Sequence, residues 1–171
     1  MSQDKTAHDN PHARLWELIK DIRFGMLTHR HVDDRLHAHP LTTQNKDGDR
    51  AGTLYFFVPR SGEIAMRVRH DDSVNVSYAH PGKDSYVSVS GRATVTHDAA
   101  LAERLWSKLD EAWFPQGPTD PELAILAVEI HDAEYWDVKD SKMVQLFKLA
   151  RAATTGRPPQ DLGEHREVHM H

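Results

Sequence analysis

The sequence predicts a mainly β protein, a six-stranded antiparallel β-barrel with peripheral helices. Residues 73–79 (SVNVSYA) and 84–97 (DSYVSVSGRATVTH) alternate apolar and polar side chains, which is the period of a half-buried strand. Turn signals of the Asp-Gly and Pro-Gly kind occur at 45–49 and 81–82, between strand-like segments. Strands joined mostly by hairpins, with a few short helices beside them, are typical of an antiparallel barrel.

The first half of the chain is predicted to hold a helix, three strands and a short helical segment. Pro11 is suited to the first turn of a helix. The apolar residues after it recur at the i, i+3, i+4, i+7 spacing of an amphipathic helix: Leu15, Leu18, Ile19 and Ile22. Strands are predicted over 24–29, 35–44 and 52–58, and one or two helical turns over 64–68.

The second half is predicted to hold the other three strands, over 73–79, 84–97 and 123–138. Gly91 lies in the middle of a long alternating segment, where an isolated glycine usually marks a bulge or a tight bend. Helical periodicity returns over 98–112, an irregular loop follows, and a last helix is predicted over 142–153.

The length of 171 residues fits one domain with a proper core. We divide the chain into a disordered tail at 1–10, a barrel domain with flanking helices at 11–156, and a polar C-terminal tail at 157–171. The start of the chain is polar and does not resemble a signal peptide.

Composition excludes several classes of partner. The formal net charge of −5 argues against nucleic acid, which needs a concentrated basic surface. The longest apolar stretches, such as LAILAV at 123–128, are too short to span a membrane. The chain has no cysteine, which excludes disulfides and thiolate metal sites and fits a cytoplasmic location.

Familiar catalytic motifs are absent from the sequence. It contains no glycine-rich dinucleotide or P-loop fingerprint, no G-x-S-x-G elbow and no H-E-x-x-H. Its carboxylates are scattered, so we assign no catalytic residue.

Histidine is the unusual part of the composition, with 13 in the chain. His29, His31, His37 and His39 lie close together, and residues two apart on a strand point to the same face. If the strand of His29 and His31 neighbours that of His37 and His39, the imidazoles could converge on zinc. No carboxylate accompanies them at a fixed offset, and polar strand-face histidines without a ligand are the alternative.

Several segments resemble a known family. The order FGMLT, LHAHPL and GTLYFFV (24–58) resembles the pyridoxamine 5′-phosphate oxidase-like family, whose fold is an FMN-binding split barrel. The segments at 74–98, 105–126 (with WFPQG) and 133–137 (AEYWD) resemble its general stress protein branch. The resemblance runs from about Leu15 to Val168.

The resemblance implies that FMN binds across a homodimer interface. In the family, the second and third strands and the turn after them hold the phosphate, and the partner subunit contacts the flavin. The positions that it assigns to the cofactor are His39, Pro40, Leu41, Thr42, Phe57, Val58, Ser61, Gly62 and Glu63, with Tyr86 and Trp136 contributed across the interface.

This chain departs from the family at the charged end of that site. His39 stands where relatives usually have arginine, and Glu63 stands where they have lysine. Oxidase relatives also carry a lysine at the position of Gln44. Arginine and lysine hold phosphate best, and a carboxylate would repel it, so Arg60 is a candidate substitute. We interpret the histidine-rich strand as a modified cofactor cradle rather than a metal cluster, and we assign no metal ligand.

The sequence therefore predicts an FMN-binding general stress flavoprotein that is a homodimer and acts as an oxidoreductase of unassigned substrate. Its tail, GEHREVHMH, does not match the Arg-x-His segment of true pyridoxamine phosphate oxidases. Two alternatives stay open: a split-barrel dimer that has lost flavin and serves as a binding or scaffold protein, and a histidine-rich metal-binding protein.

Overall fold

The computed structural model describes residues 10–49, 52–138, 149 and 163–170. The helices and strands with described bounds are, in chain order, α1 (Pro11–Ile22), β1 (Phe24–Arg30), β2 (Leu36–Thr42), β3 (Thr53–Pro59), α2 (Glu63–Arg67), β4 (Ser73–His80), β5 (Ser85–Thr96), α3 (Ala99–Leu105), β6 (Leu123–Asp137) and β7 (Glu164–His169). The predicted helix over 142–153 lies outside the described residues apart from Leu149. None of the described helices is long and apolar enough to cross a bilayer.

The strands form one seven-stranded antiparallel sheet in the order β2-β1-β4-β5-β6-β3, and β7 pairs with β6 beside this path. The sheet curls until the end of β2 returns to β3, where Thr43 and Phe56 form an isolated bridge. In the described part of the chain these two strands are not paired along their lengths, so the barrel is split on this side. The mainly β, antiparallel split-barrel prediction is confirmed.

The strand count differs from the predicted six, because β7 lies in the segment that we predicted to be a polar tail. Its sequence, EHREVH, has a single apolar residue, Val168, and that side chain is only 3% exposed. One apolar residue gives no readable alternation, so pairing with β6 rather than local pattern defines this strand.

Gly91 lies where β5 and β6 shift register between Ser90 and Gly91, which confirms the predicted bulge. A Cβ atom at this position would lie 2.1 Å from the carbonyl oxygen of Glu129. The two strands therefore approach more closely here than any side chain allows.

The predicted helix over 98–112 divides into two pieces. After α3 ends, the backbone N–H and hydroxyl of Ser107 both donate to Oδ2 of Asp110, at 2.8 and 2.7 Å, and a 3-10 helix, Lys108–Ala112, follows. Local side-chain bonds of this kind compete with helix continuation. As a result Leu109, which continues the helical spacing in the sequence, is 74% exposed.

A partly buried ion pair joins α1 to the end of β6. Arg14 donates through Nε and Nη2 to Oδ2 of Asp137, at 2.8 and 2.6 Å, and Ser85 donates to the other carboxylate oxygen at 2.9 Å. The Asp137 side chain is only 6% exposed, so this carboxylate depends on its donors.

We expect Arg14→Ala to lower the free energy of unfolding by about 2 kcal/mol, because a buried carboxylate loses a charged double donor. Glu17→Ala is the control, since Glu17 is the exposed partner of the same arginine and should change stability by about 0.5 kcal/mol or less. Urea denaturation measures both. Equal effects of the two variants would show that the pair with Asp137 contributes little.

Candidate functional site

Four histidines and one glutamate converge at the open side of the barrel, and we call them the histidine cluster: His29, His31, His37, His39 and Glu63. His29 lies directly opposite His37 in the β1–β2 pair. The two-residue period of β2 puts His39 on the same inner face as His37, and His31 follows β1. Glu63 is the first residue of α2, which brings its carboxylate to these rings.

Glu63 is the centre of the histidine cluster. Its Oε1 atom is 3.0 Å from Nδ1 of His37, 3.6 Å from Nε2 of His31 and 3.8 Å from Nε2 of His29. Its Oε2 atom is 3.8 Å from Nε2 of His39. The rings form two stacked pairs, His29 on His39 at 5.2 Å between centroids and His31 on His37 at 4.2 Å. The structure thus supplies the carboxylate that sequence spacing does not reveal.

Burial and charge affect the ionisation of this cluster in opposite ways. Desolvation is the largest influence on His29 and lowers the pKa of its ring, which favours the neutral form. Desolvation raises the pKa of Glu63, but the hydrogen bond from His37 and the charges of His37 and His39 outweigh it and leave that pKa lowered. The arrangement therefore favours a neutral His29 ring and an ionised Glu63 carboxylate.

The turn assigned to the phosphate is already engaged in protein contacts. Ser61 donates its hydroxyl hydrogen to Oε2 of Glu122 at 2.7 Å, and the N–H of Gly62 donates to the Pro59 carbonyl at 3.0 Å. Arg60, the candidate substitute for the missing lysine, is exposed, and its backbone N–H donates to the Glu122 carbonyl. A phosphate at this turn would compete with these bonds.

Three other positions assigned by resemblance have buried side chains. Gln44 is 4% exposed, and its Nε2 donates to Oδ1 of Asp110 at 2.9 Å. Val58 belongs to the main core inside the barrel, and Phe57 packs in a second apolar cluster with Leu105 of α3. Any contact of Phe57 or Val58 with a ligand would therefore come from the backbone.

The second strand offers different residues on its two faces. The inner face carries His39 and Leu41, and Leu41 packs against the main core. Pro40 and Thr42 alternate with them and lie on the outer face of the sheet. The positions assigned on β2 therefore divide between the inner face, which carries His39 and Leu41, and the outer face, which carries Pro40 and Thr42.

Tyr86 and Trp136 lie directly opposite each other on β5 and β6. They are 40% and 39% exposed, and the Trp136 indole stacks on His165 of β7 with centroids 4.9 Å apart. Phe24 and Met26 of β1 are also exposed on this outer face, at 67% and 41%. Within one chain these aromatic residues are not part of the histidine cluster.

Comparison with known proteins identifies the family. The family described as "Pyridoxamine 5′-phosphate oxidase like" matches residues 10–160, most of the chain. The chain belongs to this family. The resemblance noted from its sequence segments is therefore confirmed.

Individual relatives confirm the general stress branch. General stress protein 26 of Bacillus subtilis (strain 168) is 30% identical over 98 residues, 54% of this chain and 69% of that protein. A solved structure from Jannaschia sp. CCS1, whose description names general stress protein 26, shares the fold, with a TM-score of 0.72 at 23% identity over 91% of this chain and 96% of its own. The structure of the general stress FMN/FAD binding protein of Xanthomonas citri has a TM-score of 0.66 at 30% identity, covering 75% of this chain and 89% of its own.

The resemblance placed Glu63 in one site with His39, but nothing in the sequence indicated that its carboxylate lies among all four histidines. Glu63 is separated from β2 by a whole strand, β3, so no short motif connects it to the histidines. A signal was nevertheless present, since the resemblance implies a lysine at the position of Glu63. A carboxylate at such a position indicates cationic or hydrogen-donating neighbours.

Proposed function

We propose that this protein is a homodimeric general stress flavoprotein that binds FMN with a weakened phosphate site. The observation that carries the proposal is the buried Nε2 atom of His39, which has no hydrogen-bond partner in the described part of the chain. A buried ring nitrogen without a partner indicates a ligand, and the resemblance implies that this residue stands at the phosphate position. A relative with 30% identity that is described as FMN/FAD binding supports the same cofactor.

The residues fit the flavin better at its ring end than at its phosphate end. Exposed Tyr86 and Trp136 offer the aromatic contacts that the family uses across its interface. At the phosphate end, His39 offers one imidazole, and Glu63 adds a negative charge nearby. We therefore expect FMN affinity to be lower than that of relatives with arginine and lysine.

The outer face of the sheet supports the homodimer. Phe24 and Met26 of β1 and Tyr86 and Trp136 of β5 and β6 expose apolar surface there. Small residues such as Ala79 lie between them on β4, opposite Tyr86. Such a surface is suited to pack against a second copy, whose aromatic residues would complete the flavin site.

When bound, FMN supplies hydride or electron transfer at its ring. The chain itself would position the ring with Tyr86 and Trp136 and hold the phosphate near His39. We assign no general acid and no substrate, and true pyridoxamine phosphate oxidase activity is not proposed. The absence of cysteine supports a reducing, cytoplasmic location.

A fluorescence titration of metal-stripped protein with FMN tests the proposal. We expect saturable quenching of flavin fluorescence, and a dissociation constant that rises severalfold in His39→Ala because the phosphate loses a donor. His97→Ala is the matched control, since His97 is exposed and outside the histidine cluster.

Two outcomes would contradict parts of this proposal. An unchanged dissociation constant in His39→Ala would show that His39 does not hold the phosphate. Absence of quenching in the unmodified protein would favour the flavin-free scaffold dimer, for which Glu63 at the phosphate position is the supporting observation.

A further inference from the structure

We propose that His29, His39 and Glu63 form a binding site for a divalent first-row transition-metal ion such as Zn²⁺. This inference does not depend on flavin binding. One ring nitrogen from each histidine and a carboxylate oxygen of Glu63 all lie within 4.8 Å of one another. Two imidazoles and one carboxylate form a known catalytic zinc ligand set, which leaves one coordination position open.

A second observation points to a ligand at the same place. His29 is 1% exposed, and its Nε2 atom has no hydrogen-bond partner among the described residues. Nε2 of His39 is buried in the same way. Buried polar atoms almost always have a hydrogen-bond partner. Two buried nitrogens that face one carboxylate without such a partner therefore need an explanation. A metal ion between them would coordinate both.

The surroundings of His29 favour a ligand role for Nε2. Its Nδ1 atom lies 3.3 Å from the carbonyl oxygen of Arg30, which can only accept, so this nitrogen carries the hydrogen. The lone pair of the neutral ring is then on Nε2, on the side of Glu63. Metal-binding histidines almost always donate their other N–H to a carbonyl or a carboxylate in this manner.

The second histidine pair is better suited to support Glu63 than to bind the ion. His37 already donates from Nδ1 to the Glu63 carboxylate at 3.0 Å, and Nδ1 of His31 bonds Asp33 at 3.0 Å. Exposure does not separate them from His39, since the side chains of His37, His39 and His31 are 38%, 34% and 27% exposed, so this assignment rests on the hydrogen bonds. We therefore assign His37 and His31 to positioning the carboxylate, although His31, His37 and Glu63 are themselves close enough to form a competing set.

The two imidazole nitrogens among the proposed ligands determine which class of metal ion the site prefers. Imidazole nitrogen suits zinc, cobalt, nickel, copper and iron, whereas Ca²⁺ and Mg²⁺ prefer sites built from oxygen alone. Because coordination uses the lone pair of His39 Nε2, the ion and a phosphate hydrogen-bonded to that atom are alternative ligands. The chemistry thus predicts a nitrogen-preferring ion rather than an alkaline-earth ion.

Isothermal titration of metal-stripped, full-length protein with Zn²⁺, without flavin, tests this assignment. We expect one saturable site whose affinity falls at least tenfold in His39→Ala and in Glu63→Gln. His97→Ala controls for weak binding by surface histidines and should leave this site unchanged. Because His29 is fully buried, the test uses His39 and Glu63, and circular dichroism verifies that each variant is folded.

If the ion binds to the alternative set, His31, His37 and Glu63, the variants give the opposite result. If the His31→Ala/His37→Ala double variant abolishes Zn²⁺ binding while folded His39→Ala retains it, the assignment is overturned. Unchanged binding in both His39→Ala and Glu63→Gln, or no saturable binding by the unmodified protein, would also overturn it. Because no flavin is present, a failure of FMN binding in the separate titration leaves these outcomes unaffected.

Discussion

Glu63→Lys is expected to raise the affinity of the metal-stripped protein for FMN by roughly 10- to 100-fold. The change removes a negative charge next to the proposed phosphate position and adds a cation there. A hydrogen bond to a charged group contributes about 1.5–3 kcal/mol, and about 1.4 kcal/mol corresponds to a tenfold change in affinity. Lysine is also the residue that the resemblance implies at this position.

The control for this variant is Glu103→Lys, which makes the same change of charge at an exposed position on α3. It should leave the dissociation constant of FMN nearly unchanged, because an exposed charge outside the site is screened. Fluorescence titration measures both variants. Equal affinities of Glu63→Lys and the unmodified protein would place the phosphate away from Glu63.

The same variant separates the two proposals for the histidine cluster. Lysine cannot act as the anionic ligand that Glu63 provides, so Zn²⁺ binding should be lost while FMN binding improves. A gain in FMN affinity together with unchanged Zn²⁺ binding would support the phosphate position and contradict the metal assignment.

Gly91→Ala is expected to lower the free energy of unfolding by about 3 kcal/mol. The added Cβ would lie 2.1 Å from the Glu129 carbonyl oxygen and 3.2 Å from a methyl group of Val128, so the backbone of β6 must move. Forcing extra volume into a closely packed site costs about 1–3 kcal/mol, and a backbone clash belongs at the upper end of this range.

Thr94→Ala is the control for Gly91→Ala, since Thr94 is an exposed residue further along the same strand. It should change stability by about 0.5 kcal/mol or less. Urea denaturation of the two variants gives the comparison. A loss below about 1 kcal/mol for Gly91→Ala would mean that the bulge accommodates a side chain without moving β6.

The elements with strong local periodicity were predictable. The helix beginning at Pro11 and the alternating strands β4 and β5 are found where the pattern indicated them. The helix predicted over 98–112 is confirmed only over Ala99–Leu105, because periodicity does not detect the bonds by which Ser107 and Asp110 replace helical ones. β7 was missed because its pairing with β6 is a tertiary contact.

For the candidate site, sequence alone determined the fold class, the family and the four clustered histidines, because alternation and segment resemblance are local properties. Only the tertiary structure decided that Glu63 lies between those histidines and that Nε2 of His29 and of His39 is buried without a partner. The reason is geometric. β1 and β2 bring the histidines to one face by pairing, whereas Glu63 reaches that face only when the sheet curls and places the start of α2 against its open side.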